Sequence, residues 1–291
     1  MTVSRASTST TLSHGASLRS RVQSGPILPL IGVFDQFSAS IAASRFEAVF
    51  CSGYGFAASY YGLPDEGFIA WPDMVAYVER MRAILPSTHI VVDIDDGYGD
   101  PNLAANVVRR LERVGASAVV LEDQRRPKRC GHLPGKEILD EEDYLLRLRR
   151  VLAVRGDLVV VARTDAPDFE EGLRRARLYA AEGVDAVMVE GLAGIDDVAR
   201  VREAIGPDTA LTVNLIAGGK TPPVTLTRLQ QLGANLVIYS TPCLFAAQAA
   251  METYLDQMKA RDGELAPELG GAALPDNLRL QGNNLARALQ S

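Results

Sequence analysis

Eight short apolar runs, each closed by a polar residue, recur along this 291-residue chain at a spacing of roughly 25–30 residues, and little else constrains its fold as much. They fall at residues 30–34, 48–51, 90–92, 118–121, 158–162, 186–189, 210–213 and 236–239. Between most of them lie patterns such as MVAYVERMRAIL, LAANVVRRLERVG, DYLLRLRRVLAV, FEEGLRRARLYAAEG and DVARVREAIG, with apolar residues at three- and four-residue spacing. Strands apolar on both faces that alternate with helices belong to a parallel sheet, and eight such units favour a closed (β/α)8 TIM-type barrel over an open doubly wound sheet. The length exceeds the usual ~100–200-residue domain but matches one barrel of ~250 residues with appendages.

The barrel is assigned to residues 26–257. Residues 1–25 are rich in Ser, Thr and Arg, and the first acid in the chain is Asp35, so this segment reads as a flexible N-terminal tail. A transit peptide shares that acid-poor composition, but no cleavage signal accompanies it. Residues 258–291 are broken by Gly and Pro before NLRLQGNNLARALQS, which reads as a C-terminal helical extension docked on the barrel or on a neighbouring subunit.

Charge and cysteine usage narrow the partners. Thirty-six acidic against thirty basic residues give a net charge of −6, and no Lys/Arg block offers a footprint for nucleic acid. No apolar run approaches the ~18–20 residues of a membrane span. Three cysteines do not make a disulfide framework, and a reducing cytoplasm is the expected compartment. Three scattered histidines and no Cys-x-x-Cys pair leave oxygen as the only plausible metal donor.

In a barrel of this kind catalytic groups project from the carboxyl ends of the strands. The residues there are Asp35, Ser52-Gly53, Asp93 and Asp95, Glu122-Asp123, Arg163, Glu190, Asn214 and Ser240, polar at every position. Asp93, Asp95 and Asp96 of VVDIDDGYGD and Glu122 on the next strand would repel one another unless protons or a cation compensate, and a hard divalent ion such as Mg2+ suits them. Taken singly, each acid could equally cap a helix. The loop EDQRRPKRCGHLPGKE, residues 122–137, flanks Cys130 with Lys128, Arg129 and His132, and such positive charge is expected to depress the thiol pKa. Gly131, Pro134 and Gly135 suit a loop that closes over a substrate; a plain basic surface loop is the alternative. Arg163 of VVVARTDA offers a fork for a carboxylate or oxyanion, with Glu190 as its expected holder, although an ordinary buried ion pair would look the same. Ser52-Gly53 offers backbone N–H groups.

The segments SGYGFAASYYGLPDEG, VVDIDDGYGD, LEDQRRPKRCGHLPGKE, VARTDA and VNLIAGGKTP, in that order between about residue 26 and residue 250, resemble the isocitrate lyase/phosphoenolpyruvate mutase superfamily. Within it, the Lys-Arg-Cys-Gly-His loop marks the branch that cleaves carbon–carbon bonds, the 2-methylisocitrate and 2,3-dimethylmalate lyases and the petal death protein among them. Phosphoenolpyruvate mutases carry an asparagine loop instead, although one carboxyphosphonoenolpyruvate phosphonomutase shares the cysteine. The resemblance implies that Asp93, Asp95 and Glu122 hold Mg2+, or Mn2+ in its place, directly or through water, with Asp65 nearby. Ser52, Gly53 and Arg163 would grip an α-oxyacid, and Tyr54, Gly131 and Ser240 would join them at the substrate. Cys130 would be the general acid, while Lys128, Arg129, His132, Glu190 and Asn214 orient substrate and charge.

The expectation is an Mg2+-dependent lyase acting on a 2-hydroxy di- or tricarboxylate by retro-aldol chemistry, assembled as a homotetramer. Oxaloacetate acetylhydrolase and a phosphonomutase are the alternatives, and a non-catalytic metabolite-binding barrel is a third. Tyr54, Ala217 in place of a usual glutamate, the extra acid Asp96, and Ser240-Thr241-Pro242 depart from the methylisocitrate lyase pattern.

Overall fold

The computed structural model describes residues 12–133, 135–265 and 271–290, so residues 1–11 of the expected tail, Pro134 of the cysteine loop and residues 266–270 and 291 of the extension lie outside it. Its eight strands are β1 (Leu28–Val33), β2 (Ala48–Cys51), β3 (His89–Asp93), β4 (Ala118–Glu122), β5 (Val159–Thr164), β6 (Ala186–Val189), β7 (Ala210–Leu215) and β8 (Leu236–Tyr239). Every neighbouring pair is parallel, and β1 pairs with β8 to close the barrel. Closure brings β1 and β8 so near that a Cβ on Gly32 would lie 2.1 Å from the Ser240 carbonyl oxygen, which only glycine avoids.

Strand alternation divides the apolar residues into two sets. Leu28, Leu30, Ala48, Phe50, Val91, Val120, Val161, Met188 and Ile238 fill the barrel interior. Ile31, Val49, Val92, Val119, Leu121, Val160 and Val187 face outward, into one continuous layer with the surrounding helices. The runs read as apolar on both faces because both faces are buried.

The helical patterns appear as α4 (Trp71–Ile84), α5 (Pro101–Arg113), α6 (Glu141–Val154), α7 (Phe169–Ala181) and α8 (Asp197–Ile205), with the short helices α3 (Gly53–Phe56) after β2 and α9 (Leu226–Gln231) after β7. Asp35 serves as an N-cap, accepting from Ser38 N at 2.7 Å at the start of α2 (Gln36–Ala43), so its position at a strand end is structural.

The flexible-tail reading does not hold over residues 14–24, which form helix α1 (His14–Ser24) under the amino end of the barrel. Leu18 is fully buried there and packs with the barrel interior, while Arg19 reaches Asp185 and Arg21 reaches Glu47, each at 2.8 Å. One leucine and two ion pairs leave no apolar periodicity to read in advance. Helices α10 (Pro242–Ala260) and α11 (Leu274–Ala288) follow the last strand, and neither buries a residue. No helix among the described residues is long and apolar enough to cross a membrane.

Candidate active site

The carboxyl ends of the strands converge on a narrow cleft of about 30 Å³ lined by Ser52, Tyr54, Asp65, Asp93, Glu122, Lys128, Arg129, Cys130, Gly131, Arg163, Glu190, Asn214 and Ser240. Phe50, Met188 and Ile238 complete its lower wall. They were missed in the sequence although each stands two residues before a site residue, Ser52, Glu190 and Ser240, and therefore on the same inward face.

On the β3 side the backbone turns sharply. Asp95 has a positive φ of 50°, a conformation aspartate tolerates better than most residues. Its N–H donates to Asp93 Oδ1 at 3.1 Å. Gly53 N donates to Asp93 Oδ2 at 3.4 Å, and the Ser52 hydroxyl caps its own turn by accepting from Gly55 N, so these groups brace the site as well as line it. Lys128 places its ammonium between Asp95 and Asp65, 2.9 Å from the latter. Burial disfavours that charge, but Asp95, Asp65, Glu122 and Asp93 override it and raise the Lys128 pKa.

The same burial pushes Asp93 up to about 6 and raises Asp65 and Glu122, with the negative neighbours adding to it. Asp95 Oδ2 and Glu122 Oε1 are buried without a hydrogen-bond partner. Two orphaned carboxylate oxygens in a basin of raised acids fit a hard divalent cation. Among the described residues no three acid, histidine or cysteine side chains converge as a ready-made coordination sphere, so an ion there would take one or two carboxylates and complete its shell with water. Asp96, expected beside the metal pair, turns the other way and is bound by Arg126 at 2.8 Å and by Arg147.

Arg163 rises from β5. Its Nε and Nη2 donate to Asp165 Oδ2 and Oδ1 at 2.7 and 2.9 Å, a bidentate grip, while Nη1 lies 3.4 Å from Glu122. Glu190, the expected holder, is 3.9 Å away, so Asp165 takes that role. Asp165 follows Arg163 by two residues and shares its face, a signal present in VVVARTDA and overlooked.

Opposite, Glu190 Oε1 accepts from Asn214 at 2.8 Å and faces His132 Nε2 at 2.9 Å. Burial alone would raise Glu190, but Arg163, His132 and Asn214 hold it at about 2. Ser240 donates to Asn214 Oδ1 at 2.7 Å. Tyr54 meets Phe245 edge-on at the rim. Ala217 lines a neighbouring cleft with Thr221 and Phe245 and is not part of this wall.

The cysteine loop covers the cleft. Gln124 brackets it by accepting from Arg129 N and donating to Arg129 O, both at 2.9 Å, and His132 Nδ1 accepts from Lys220 N at 2.9 Å. Gly131 packs so tightly that a Cβ would sit 2.4 Å from Arg163 Nη2. The expected depression of the Cys130 thiol pKa does not occur. Burial raises it, outweighing the backbone hydrogen bond at His132 and the Arg163 charge, while Lys128 spends its charge on the acids. A thiol kept protonated is the form a proton donor needs.

A family model described as phosphoenolpyruvate phosphomutase matches residues 18–259, which span the barrel and this cleft. The chain belongs to that family, within the phosphoenolpyruvate mutase/isocitrate lyase superfamily. Among its relatives in the superfamily, the petal death protein of Dianthus caryophyllus is 36% identical over 237 residues, 79% of this chain and 74% of that protein. The 2,3-dimethylmalate lyase of Eubacterium barkeri is 31% identical over 259 residues, covering 86% and 88%. The solved structure of oxaloacetate acetylhydrolase with the inhibitor 3,3-difluorooxalacetate superposes with a TM-score of 0.87 at 29% identity, covering 96% of this chain and 95% of that one. The superfamily assignment read from the cysteine loop and the expected barrel are both borne out, and the relatives support the class of carbon–carbon lyases.

Proposed function

We propose that the protein is an Mg2+-dependent lyase that cleaves a 2-hydroxy di- or tricarboxylate, of the 2-methylisocitrate or 2-alkylmalate type, into a 2-oxo acid and a simple carboxylate. The observation that carries this reading is a protonated cysteine thiol held by a lid over an arginine fork and a basin of carboxylates in which Asp95 Oδ2 and Glu122 Oε1 lack a hydrogen-bond partner. One or two of Asp93, Asp95, Glu122 and Asp65 would hold the ion directly and the others through water, with Mn2+ as its substitute. Bound there, it would act as a Lewis acid that stabilises negative charge developing on the substrate's 2-oxygen.

Arg163, Ser52 and Gly53 bind the oxyacid end, and Asp165 fixes the plane of the arginine. Lys128, Arg129, Gly131, His132, Glu190, Asn214, Tyr54 and Ser240 surround and orient the rest. Transfer of the 2-hydroxyl proton to a carboxylate of the basin lets the adjacent carbon–carbon bond break, its electron pair passing to the carbon next to the carboxylate of the leaving fragment. The Cys130 thiol gives that carbon its proton, a step that a positioned acid accelerates by ~10²–10⁴. The closed lid excludes water that would quench the carbanion unselectively.

A second reading is favoured by Ser240, whose hydroxyl enters the site through Asn214. It is an oxaloacetate acetylhydrolase acting on a hydrated ketone. Incubation with Mg2+ and 2-methylisocitrate, alkylmalates or oxaloacetate, reading 2-oxo acid and oxalate together, separates the two. The lyase reading expects 2-oxo acid from a hydroxy acid and a loss of orders of magnitude in Cys130→Ser. Oxalate from oxaloacetate alone favours the hydrolase, and a phosphorus–carbon bond formed from phosphoenolpyruvate would favour a phosphonomutase.

The three free cysteines support a reducing, cytoplasmic setting. Exposed Met251 and Leu255 on α10 and Leu274, Leu278 and Leu285 on α11 support burial against further copies of the chain, as in the expected tetramer.

A further inference from the structure

Lys136 lies five residues beyond Gly131, at the returning end of the cysteine loop, and its side chain is only 5% exposed. Its ammonium donates to the Gly131 carbonyl at 2.6 Å and to Asp165 Oδ1 at 2.9 Å. That oxygen also accepts from Arg163 Nη2, so one fully buried carboxylate binds the lid's lysine and the site's arginine together. The Gly131–His132 peptide, one residue past Cys130, is thereby drawn down onto Arg163, where a Cβ on Gly131 would also lie 2.5 Å from Glu190 Cγ and 2.9 Å from Asp165 Oδ1.

The loop has other side-chain anchors, among them Arg126 on Asp96. Lys128 engages Asp95 and Asp65, and His132 engages Glu190. Both grip groups that face the cleft. The Lys136 contact differs, because it joins the backbone carbonyl beside Cys130 to the residue that fixes Arg163. Asp165 holds Arg163 by Nε and one Nη2 proton, which leaves Nη1 uncommitted to it. With the lid open, Asp165 keeps Arg163 but loses its second cation, and the thiol loses its fixed distance from the fork.

We propose that Lys136 is a positioning residue whose pairing with Asp165 latches the cysteine loop shut and sets Cys130 in register with Arg163. The inference deepens the lyase reading, since it supplies the device that brings the proton donor to the substrate. Its test needs no substrate, so it stands or falls apart from that reading.

The test is the rate at which N-ethylmaleimide modifies each cysteine of the full-length protein, followed by peptide mass spectrometry. Cys51 is fully buried in β2, remote from the lid, and reports global opening. In Lys136→Met, modification of Cys130 should rise by about tenfold or more, the scale of losing one buried charge-assisted contact from the closed state, while Cys51 keeps its wild-type rate. An unchanged Cys130 rate would overturn the latch. A parallel rise at Cys51 would also overturn it, because the pair would then merely support the fold. If Lys136→Met does not fold, Lys136→Gln carries the same test, since its amide keeps a donor for the Gly131 carbonyl but not the charge. Where turnover is measured, the latch expects kcat to fall more than KM rises.

Discussion

Glu122 and Asp123 are adjacent in sequence and both fully buried, yet they belong to different worlds. Glu122 ends β4 facing into the barrel mouth, where Arg163 stands 3.4 Å away and Oε1 has no partner. Asp123 faces outward and is saturated. It accepts from Asp165 N at 2.8 Å, Thr164 Oγ1 and Tyr179 Oη at 2.7 Å, and Arg175 at 3.0 Å. Asp95 and Asp96 repeat the pattern one strand earlier, the first with Oδ1 on Lys128 but Oδ2 unpartnered in the mouth and the second clasped by Arg126 and Arg147. A buried acid with all its partners is architecture. One that lacks them marks a place where a ligand completes the structure.

The largest expected effect tests the saturated member. Asp123→Ala leaves Tyr179 and Thr164 without their acceptor, takes one buried partner from Arg175, which keeps Glu171 and the Leu139 carbonyl, and should lower folding stability by about 3–5 kcal/mol in denaturant titration. Glu122→Gln should leave the ion-free protein within about 1 kcal/mol of wild type, because it removes a charge that burial already opposes. Equal losses in the two variants would break the comparison.

Next comes the cation. At a hundredfold excess over its dissociation constant, Mg2+ should stabilise the wild type by about 2.7 kcal/mol, read as a rise in thermal midpoint. Asp95→Asn should abolish that rise and Asp96→Asn should preserve it. A retained rise in Asp95→Asn would remove that residue from the ion site.

Glu190 extends the contrast to pH, since it is an inward acid whose Oε1 is partnered by Asn214 and His132 while its Oε2 accepts no hydrogen bond. Held at about 2 in the folded chain, against an ordinary value of 4.5, it contributes stability above pH 4.5 that is lost as pH falls toward 2. The contribution is on the order of 3 kcal/mol, and Glu190→Gln should flatten the acid limb of the stability profile by that amount. An unaltered limb would show that its partners do not hold the charge.

These contrasts also show where the sequence was legible. Apolar runs flanked by helical patterns located all eight strands to within a few residues, because burial on both faces leaves an unmistakable record. The strand ends located the cleft for the same reason. Which neighbour of an adjacent acid pair faces inward was harder, and Asp96 was misjudged because a left-handed turn at Asp95 breaks the strand's alternation. Lys136 escaped because its importance lies in a contact across 29 residues of chain. Helix α1 escaped because ion pairs, not an apolar stripe, fasten it. The Cys130 environment was misread because sequence neighbours supply charge only where their side chains stay, and Lys128 turns away to the acids.

The smallest effect concerns the β7–β8 side of the mouth, where the polar groups are both inward and partnered. Ser240 donates to Asn214 Oδ1, and Asn214 in turn donates to Glu190, so the hydroxyl fixes which way the amide points. Ser240→Ala removes one neutral hydrogen bond, worth about 1 kcal/mol, and leaves Asn214 its stronger, charge-assisted partner. The amide therefore keeps its orientation, and kcat/KM for a hydroxy-acid substrate should fall only about fivefold, the same free energy expressed as a rate. On oxaloacetate the outcome divides the two readings of the site. If the serine contacts a hydrated ketone directly, its loss should cost more than ~10² in kcat/KM, as when an oxyanion donor is removed, and the substrate facing residue 240 would be the hydrate.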